Sequence, residues 1–358
     1  MTALTVGVVF GGRSTEHQVS IRSARTVAGA LAEAGYGVRA LGVALDGCWA
    51  SREVSEAALE GARDTIEAFG RPIVQSLEPL VTSSIDLAFP LVHGTWGEDG
   101  TLQGLLEMLD LPYVGAGVTA SAVAMDKVLC KQVLEASGIA TVESVAFDRR
   151  QWQVNRDACL VAARDLAAPP LFVKPSVGGS SVGVRRVDDG SALAEAIDFA
   201  FRFDDRVLVE RGVEGRELEC AVLGYEELKA SILGEIVPGN AFYDYADKYI
   251  EDGARLEMPA QLEPALADSL RQRAVDAFGA IGGAGLARVD FLLEGDRAFV
   301  NEINTLPGFT SISMYPKLWE LTGVPLPDLV GRLVEIARRR HADRTRLNDG
   351  IRDWIADL

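Results

Sequence analysis

Cysteine, histidine and positive charge are all in short supply in this chain. Its four cysteines stand singly at positions 48, 130, 159 and 220, without a C-x-x-C pair or a dense framework. That spacing points to neither a zinc knuckle nor a secreted disulfide scaffold, and it fits a reducing cytoplasmic environment. With three histidines in 358 residues, no Ser/His/Asp or Cys/His arrangement suggests nucleophilic catalysis. Lys and Arg number 35 against 52 Asp and Glu, for a formal charge of −17. So acidic a surface disfavours nucleic acid and anionic membranes as partners, and any phosphate site has to be built locally. No apolar run approaches membrane-spanning length. Residues 1–10 lack a basic n-region and a cleavage site and read as a first β-strand.

The length suggests two or three domains. Residues 4–10 form an apolar strand, followed by GGRSTE at 11–16 and then by Val19, Ala24, Val27, Ala28 and Leu31 at helical spacing up to Gly35. Strands over 38–43 and 85–92 complete a parallel, doubly wound α/β unit, in which ligands sit beyond the carboxyl ends of the strands. Glu16 and His93 lie just past such ends, while Gly11-Gly12 lacks the dinucleotide fingerprint. A Gly-rich connection at 113–119 marks a boundary near Ala120. A charged helix over 342–358 closes the chain.

Residues 299–310 read FVNEINTLPGFT, with Arg288, Val289 and Asp290 just upstream across a short turn. Asp290, Glu302 and Asn304 supply the hard oxygen ligands that Mg²⁺ shares with phosphates and water. Arg288, Asp290, Glu302 and Asn304 all carry even numbers, so a three-residue turn at 294–296 would put them on one face. A two-residue turn at 295–296 would scatter them over both. A metal site here therefore predicts an odd-length turn; the alternative is an edge hairpin with a solvated charged face.

The strand over 171–174 ends in Lys174 and runs into PSVGGSSVG at 175–183, then a strand over 184–187. Small residues leave backbone amides free to close over phosphates, an arrangement closer to a Gly-rich flap with a strand lysine than to a P-loop. The same segment also reads as a flexible hairpin loop. Glu210 ends the strand over 207–210, Val213 follows, and Glu217 opens the next strand. Such a strand end can read an adenine and a ribose, or be a routine sheet edge.

The Lys174 flap, the Glu210 strand, Arg288-Val289-Asp290 and NEINTLPG at 301–308, in this order, resemble the ATP-grasp enzymes. Within them, GGRSTEHQVS at 11–20, HGTWGEDG at 93–100, Met125-Asp126-Lys127 and FYDYADKY at 242–249 resemble the D-alanine-D-alanine ligase family over roughly residues 4–340.

The resemblance implies an ATP-grasp fold with three parts: an N-terminal doubly wound parallel-sheet domain (1–119), a central flap domain (120–206) and a C-terminal α+β domain (207–341), with a helical tail (342–358). It implies ATP-dependent joining of two D-alanines through an acyl phosphate for peptidoglycan precursors. D-alanine-D-lactate ligation or another ATP-grasp carboxylate-amine ligase is the alternative, and a silent ATP-binding protein the rival of another class.

Among the residues, Lys127 and Lys174 would contact phosphates, and Glu210, Val213 and Glu217 would hold adenine and ribose. Asp290, Glu302 and Asn304 would bind two Mg²⁺ ions, with Mn²⁺ as a substitute and a monovalent cation as a further candidate. Ser180 and Ser181 would close the site, and Ser180, Glu16 and Tyr249 would position the first D-alanine, with His93 nearby. Lys248 would lie near the transferred phosphate. Arg288 and the Gly308 amide would stabilise the oxyanion, and Ser313 with the Met314 amide would receive the second carboxylate. The Tyr249 loop favours D-alanine as acceptor, and the family leads to an expected homodimer. His17 and His341 have no role beyond solvation or packing.

Overall fold

The computed structural model of the chain describes residues 4–237 and 255–356. Three sheets organise them. The first is parallel, in the order β2-β1-β3, from β1 (Thr5–Gly11), β2 (Gly37–Val43) and β3 (Leu87–Pro90). β1 is almost wholly buried, as a parallel strand covered on both faces must be, and this is why it reads as an unbroken apolar run. Its chain turns at Gly12 into the helix His17–Glu33, whose Ile21, Ala24, Val27 and Leu31 face the core.

The second sheet is antiparallel, in the order β4-β7-β5-β6, from β4 (Ser144–Asp148), β5 (Leu171–Pro175), β6 (Arg185–Val187) and β7 (Arg206–Arg211). β5 and β6 are the two stems of the flap, paired Leu171 with Val187. The third sheet is also antiparallel, in the order β10-β9-β8-β11-β12, from β8 (Arg216–Gly224), β9 (Leu228–Val237), β10 (Arg255–Glu257), β11 (Gly285–Glu294) and β12 (Arg297–Asn304). Val289, Phe291 and Leu293 of β11 point into one core, and Arg288 and Asp290 to the other face. The helix Leu326–Ala356 runs on without a break through the tail. Its Leu329, Val330, Leu333 and Val334 share a core with Val6, Val8 and Phe10 of β1, locking the first sheet to the third.

The β11–β12 turn corrects the expected odd length. Glu294 pairs with Arg297, leaving a two-residue turn of Gly295 and Asp296 in which Gly295 takes φ 58°. That turn starts the ladder with even opposite odd: Leu293 faces Ala298 and Phe291 faces Val300. An irregularity then intervenes. Asp290 pairs with Glu302 and Arg288 with Asn304, so Asn301 is the extra residue of a β-bulge. One inserted residue switches the parity, and all four polar side chains come to one face despite the short turn.

Candidate active site

All described sequence-predicted site residues line one cleft of about 1220 Å³ between the three sheets: Glu16, His93, Lys127, Lys174, Ser180, Ser181, Glu210, Val213, Glu217, Arg288, Asp290, Glu302, Asn304, Gly308, Ser313 and Met314. Lys248 and Tyr249 lie outside the described residues.

Lys127 opens the helix Lys127–Ala136, capped by Asp126, whose carboxylate accepts from the Val128 and Leu129 amides. The same carboxylate accepts from the Ser176 hydroxyl at 2.5 Å and pairs with Arg206, while the Lys127 amide donates to the Ser176 carbonyl at 2.8 Å. The base of the flap is thereby fixed to the start of this helix. Above it, Lys127 Nζ donates to the Gly178 carbonyl at 2.6 Å and stands 3.9 Å from Glu302 Oε2, so one cation bridges flap and acidic hairpin. At the flap tip Ser180 and Ser181 take φ 52° and 57°. Left-handed backbone disfavours an L side chain by roughly 1–2 kcal/mol, strain of the kind concentrated at ligand clamps.

One turn beyond Lys127, Lys131 reaches Glu210 at 2.7 Å and donates to the Val142 carbonyl at 2.8 Å. Lys174 pairs with the other oxygen of the same carboxylate. Burial would push the Glu210 carboxyl up, but Lys174 and Lys131 together hold it down at about 2. Lys174 is opposed by its own burial and raised by Glu210. Lys131 escaped the sequence reading, although its spacing of four from Lys127 puts it on the same helical face.

In the hairpin Arg288 forks onto Asp290 at 2.7 and 2.6 Å and lies 3.2 Å from Glu219 of β8. Burial disfavours the guanidinium charge, and Asp290 and Glu219 outweigh it, raising Arg288 well above its ordinary value. Asn304 Oδ1 accepts from the Leu306 amide at 3.1 Å. Among the described residues no group of three or more His, Cys, Asp and Glu side chains forms a self-sufficient metal cage. Two carboxylates facing each other with an amide beside them still fit Mg²⁺, which keeps several waters and binds with substrate phosphates, and do not fit zinc.

The other end of the cleft belongs to the first sheet. The Glu16 carboxylate lies against both neighbouring loops: a Cβ placed on Gly94 would come within 3.4 Å of Glu16 Oε2, and one on Gly179 of the flap within 3.6 Å. His93 is buried, its Nδ1 2.9 Å from the Leu306 carbonyl and 3.3 Å from Glu98. Burial lowers its affinity for a proton, yet Glu98 and Glu16 raise it overall. Ser23 accepts from the Phe309 amide at 3.1 Å, next to Gly308. Ser313 Oγ accepts from the Thr310 amide at 3.0 Å and caps the loop before the helix Met314–Leu321, leaving the Met314 amide at that helix's first turn. His17 is buried too, and it is structural: Nδ1 is 2.7 Å from the Gly12 carbonyl, and Nε2 accepts from the Ile66 amide at 3.0 Å. Sequence reasoning passed over Ser23 and Glu219, each defined by a partner distant in the chain, and also Glu98, only five residues from its partner His93.

A Gly/Ser flap on one antiparallel sheet, closing over an acidic hairpin on another with lysines between, is the ATP-grasp arrangement. Two family models cover most of the chain: the D-ala D-ala ligase N-terminus over residues 5–116 and the D-ala D-ala ligase C-terminus over residues 133–335. The chain is 43% identical to D-alanine-D-alanine ligase A of Escherichia coli K12, spanning 96% of this chain and 98% of the relative. It is 41% identical to the D-alanine-D-alanine ligase of Chloroherpeton thalassium, over 96% and 99%. Among solved structures it matches the D-alanine-D-alanine ligase of Coxiella burnetii with a TM-score of 0.82 and 36% identity, covering 100% and 99% of the two chains. It also matches the VanG D-Ala:D-Ser ligase of Enterococcus faecalis with a TM-score of 0.81 and 31% identity, covering 94% and 100%. The chain belongs to the D-alanine-D-alanine ligase family.

Proposed function

We propose that this enzyme joins two D-alanine molecules into D-alanyl-D-alanine, consuming ATP and releasing ADP and phosphate, as a supplier of peptidoglycan precursors. The observation that carries the reading is Lys127, which touches the flap carbonyl of Gly178 at 2.6 Å and approaches Glu302 at 3.9 Å, so that phosphates entering between flap and hairpin meet a fixed cation.

A carboxylate is a poor acyl donor, so its oxygen first takes the γ-phosphoryl group of ATP. The amine of the second D-alanine then attacks the carbonyl carbon; the C–N bond forms, the C–O bond to phosphate breaks, and the amine loses its proton. No protein nucleophile is needed, only positioning and charge neutralisation. Lys127 and Lys174 hold phosphates, Glu210, Val213 and Glu217 frame adenine and ribose, and Ser181 closes the flap. Glu16, Ser180 and Tyr249 position the first D-alanine with His93 beside them. Arg288 and the Gly308 amide face the oxyanion, Ser313 and the Met314 amide take the second carboxylate, and Lys248 serves the transferred phosphate. Asp290, Glu302 and Asn304 would hold two Mg²⁺ ions, with Mn²⁺ able to substitute and a monovalent cation as a further candidate. When bound, the metal neutralises phosphate charge. Closure of the flap keeps water from the acyl phosphate.

The domains divide at 1–119, 120–206 and 207–341 with the tail at 342–358, and the enzyme works as a cytoplasmic homodimer. Among the described residues no helix is long and apolar enough to cross a membrane. The test incubates the protein with ATP, Mg²⁺ and D-alanine and measures phosphate and dipeptide. Both should appear together. No phosphate would overturn the ligase reading, and phosphate only when D-lactate or D-serine is added would replace the acceptor.

A further inference from the structure

Glu210 is 3% exposed, and its two carboxylate oxygens are taken by two different lysines. Only one of these lysines lines the cleft. Lys174 does; Lys131, 5% exposed, is not part of the lining and donates to the Val142 carbonyl at 2.8 Å. Two ammoniums and one carboxylate leave this cluster with one net positive charge, and the single outlet for it is Lys174. Charges buried in low dielectric act strongly on one another, so the second lysine changes what the first presents to a ligand.

We propose that Lys131 is a positioning residue of the nucleotide site. By sharing Glu210 it keeps the charge of Lys174 available to a polyphosphate and fixes where that charge sits. Glu302 and Glu217 also act on Lys174, so with Lys131 removed Glu210 would draw on Lys174 as its one remaining ammonium partner and more of that charge would be spent inside the protein. Lys131 is then worth more to a ligand with more phosphates, although it touches none of them. This inference rests on the ATP reading of the cleft.

The test compares the wild-type protein with Lys131→Met, measuring dissociation constants of AMP and of Mg²⁺-ATP by calorimetry. The wild type should bind Mg²⁺-ATP much more tightly than AMP, and the variant should lose about tenfold in the ratio of the two constants, with KM for D-alanine little changed. A role in packing alone would weaken both nucleotides equally, and an unchanged ratio overturns the proposal. Failure of the wild type to bind Mg²⁺-ATP would instead overturn the nucleotide reading itself. If Lys131→Met does not fold, Lys131→Gln carries the same comparison, because its amide can still donate to Glu210 and Val142 while lacking the charge.

Discussion

The amide of Phe309 donates to the hydroxyl of Ser23 at 3.1 Å, joining residues 286 apart in the chain. That bond lets the helix His17–Glu33 hold the loop that carries Gly308, whose amide is proposed to face the reacting carbonyl. The neighbouring His93–Leu306 contact at 2.9 Å ties the same loop from the other side. Replacing Ser23 with Ala leaves a buried amide without its acceptor, a loss of about 1–3 kcal/mol. The expected result is a fall in kcat of about tenfold or more in a protein that still folds, checked by steady-state kinetics alongside circular dichroism.

Glu302 stands opposite Asp290 across the bulge, where its carboxylate is proposed to hold the metal. Glu302→Gln keeps the size and removes the charge. Turnover should drop by roughly 100-fold or more, in line with the several kcal/mol that a catalytic metal supplies, while the melting temperature stays close to that of the wild type. Retained turnover would refute the metal role.

Gly295 has φ 58° and nothing within 4 Å of where a Cβ would stand, so only its backbone conformation resists substitution. Gly295→Ala should reduce stability by about 1 kcal/mol, and Gly295→Asn by less, because Asn tolerates the left-handed region. Neither should change kcat per folded molecule, since the bulge at Asn301 fixes the face of Asp290 and Glu302. Denaturant melts of the two variants make the comparison.

His17 and His93 should titrate on opposite sides of the ordinary value of 6.5. Burial lowers His17, outweighing its bond to the Gly12 carbonyl. Its contribution to stability is therefore present above 6.5 and is lost as pH falls. Burial also opposes the charge on His93, but Glu98 and Glu16 prevail and raise it. Its contribution is therefore complete below 6.5 and is lost as pH rises through the raised value. Ring-proton NMR assigned with His17→Gln and His93→Gln reads both; two midpoints on the same side of 6.5 would contradict the assignment.

Much of this was legible in the chain itself. The apolar run of β1, the Gly/Ser segment after Lys174 and the even-numbered acids near 302 are local patterns. They determined strand and flap, and pointed to the proposed ligand chemistry, because period, turn residues and donor type are properties of adjacent residues. The length of the β11–β12 turn was not legible, because a bulge is chosen by pairing along the whole ladder, and the turn and Asn301 compensate each other. Lys131 was not legible either. On a helix it resembles any solvated lysine, and only the tertiary structure brings Glu210 of β7 within reach of it. What tertiary structure alone decided was therefore which charges are buried together, since burial depends on contacts between segments far apart in the chain and no local pattern encodes it.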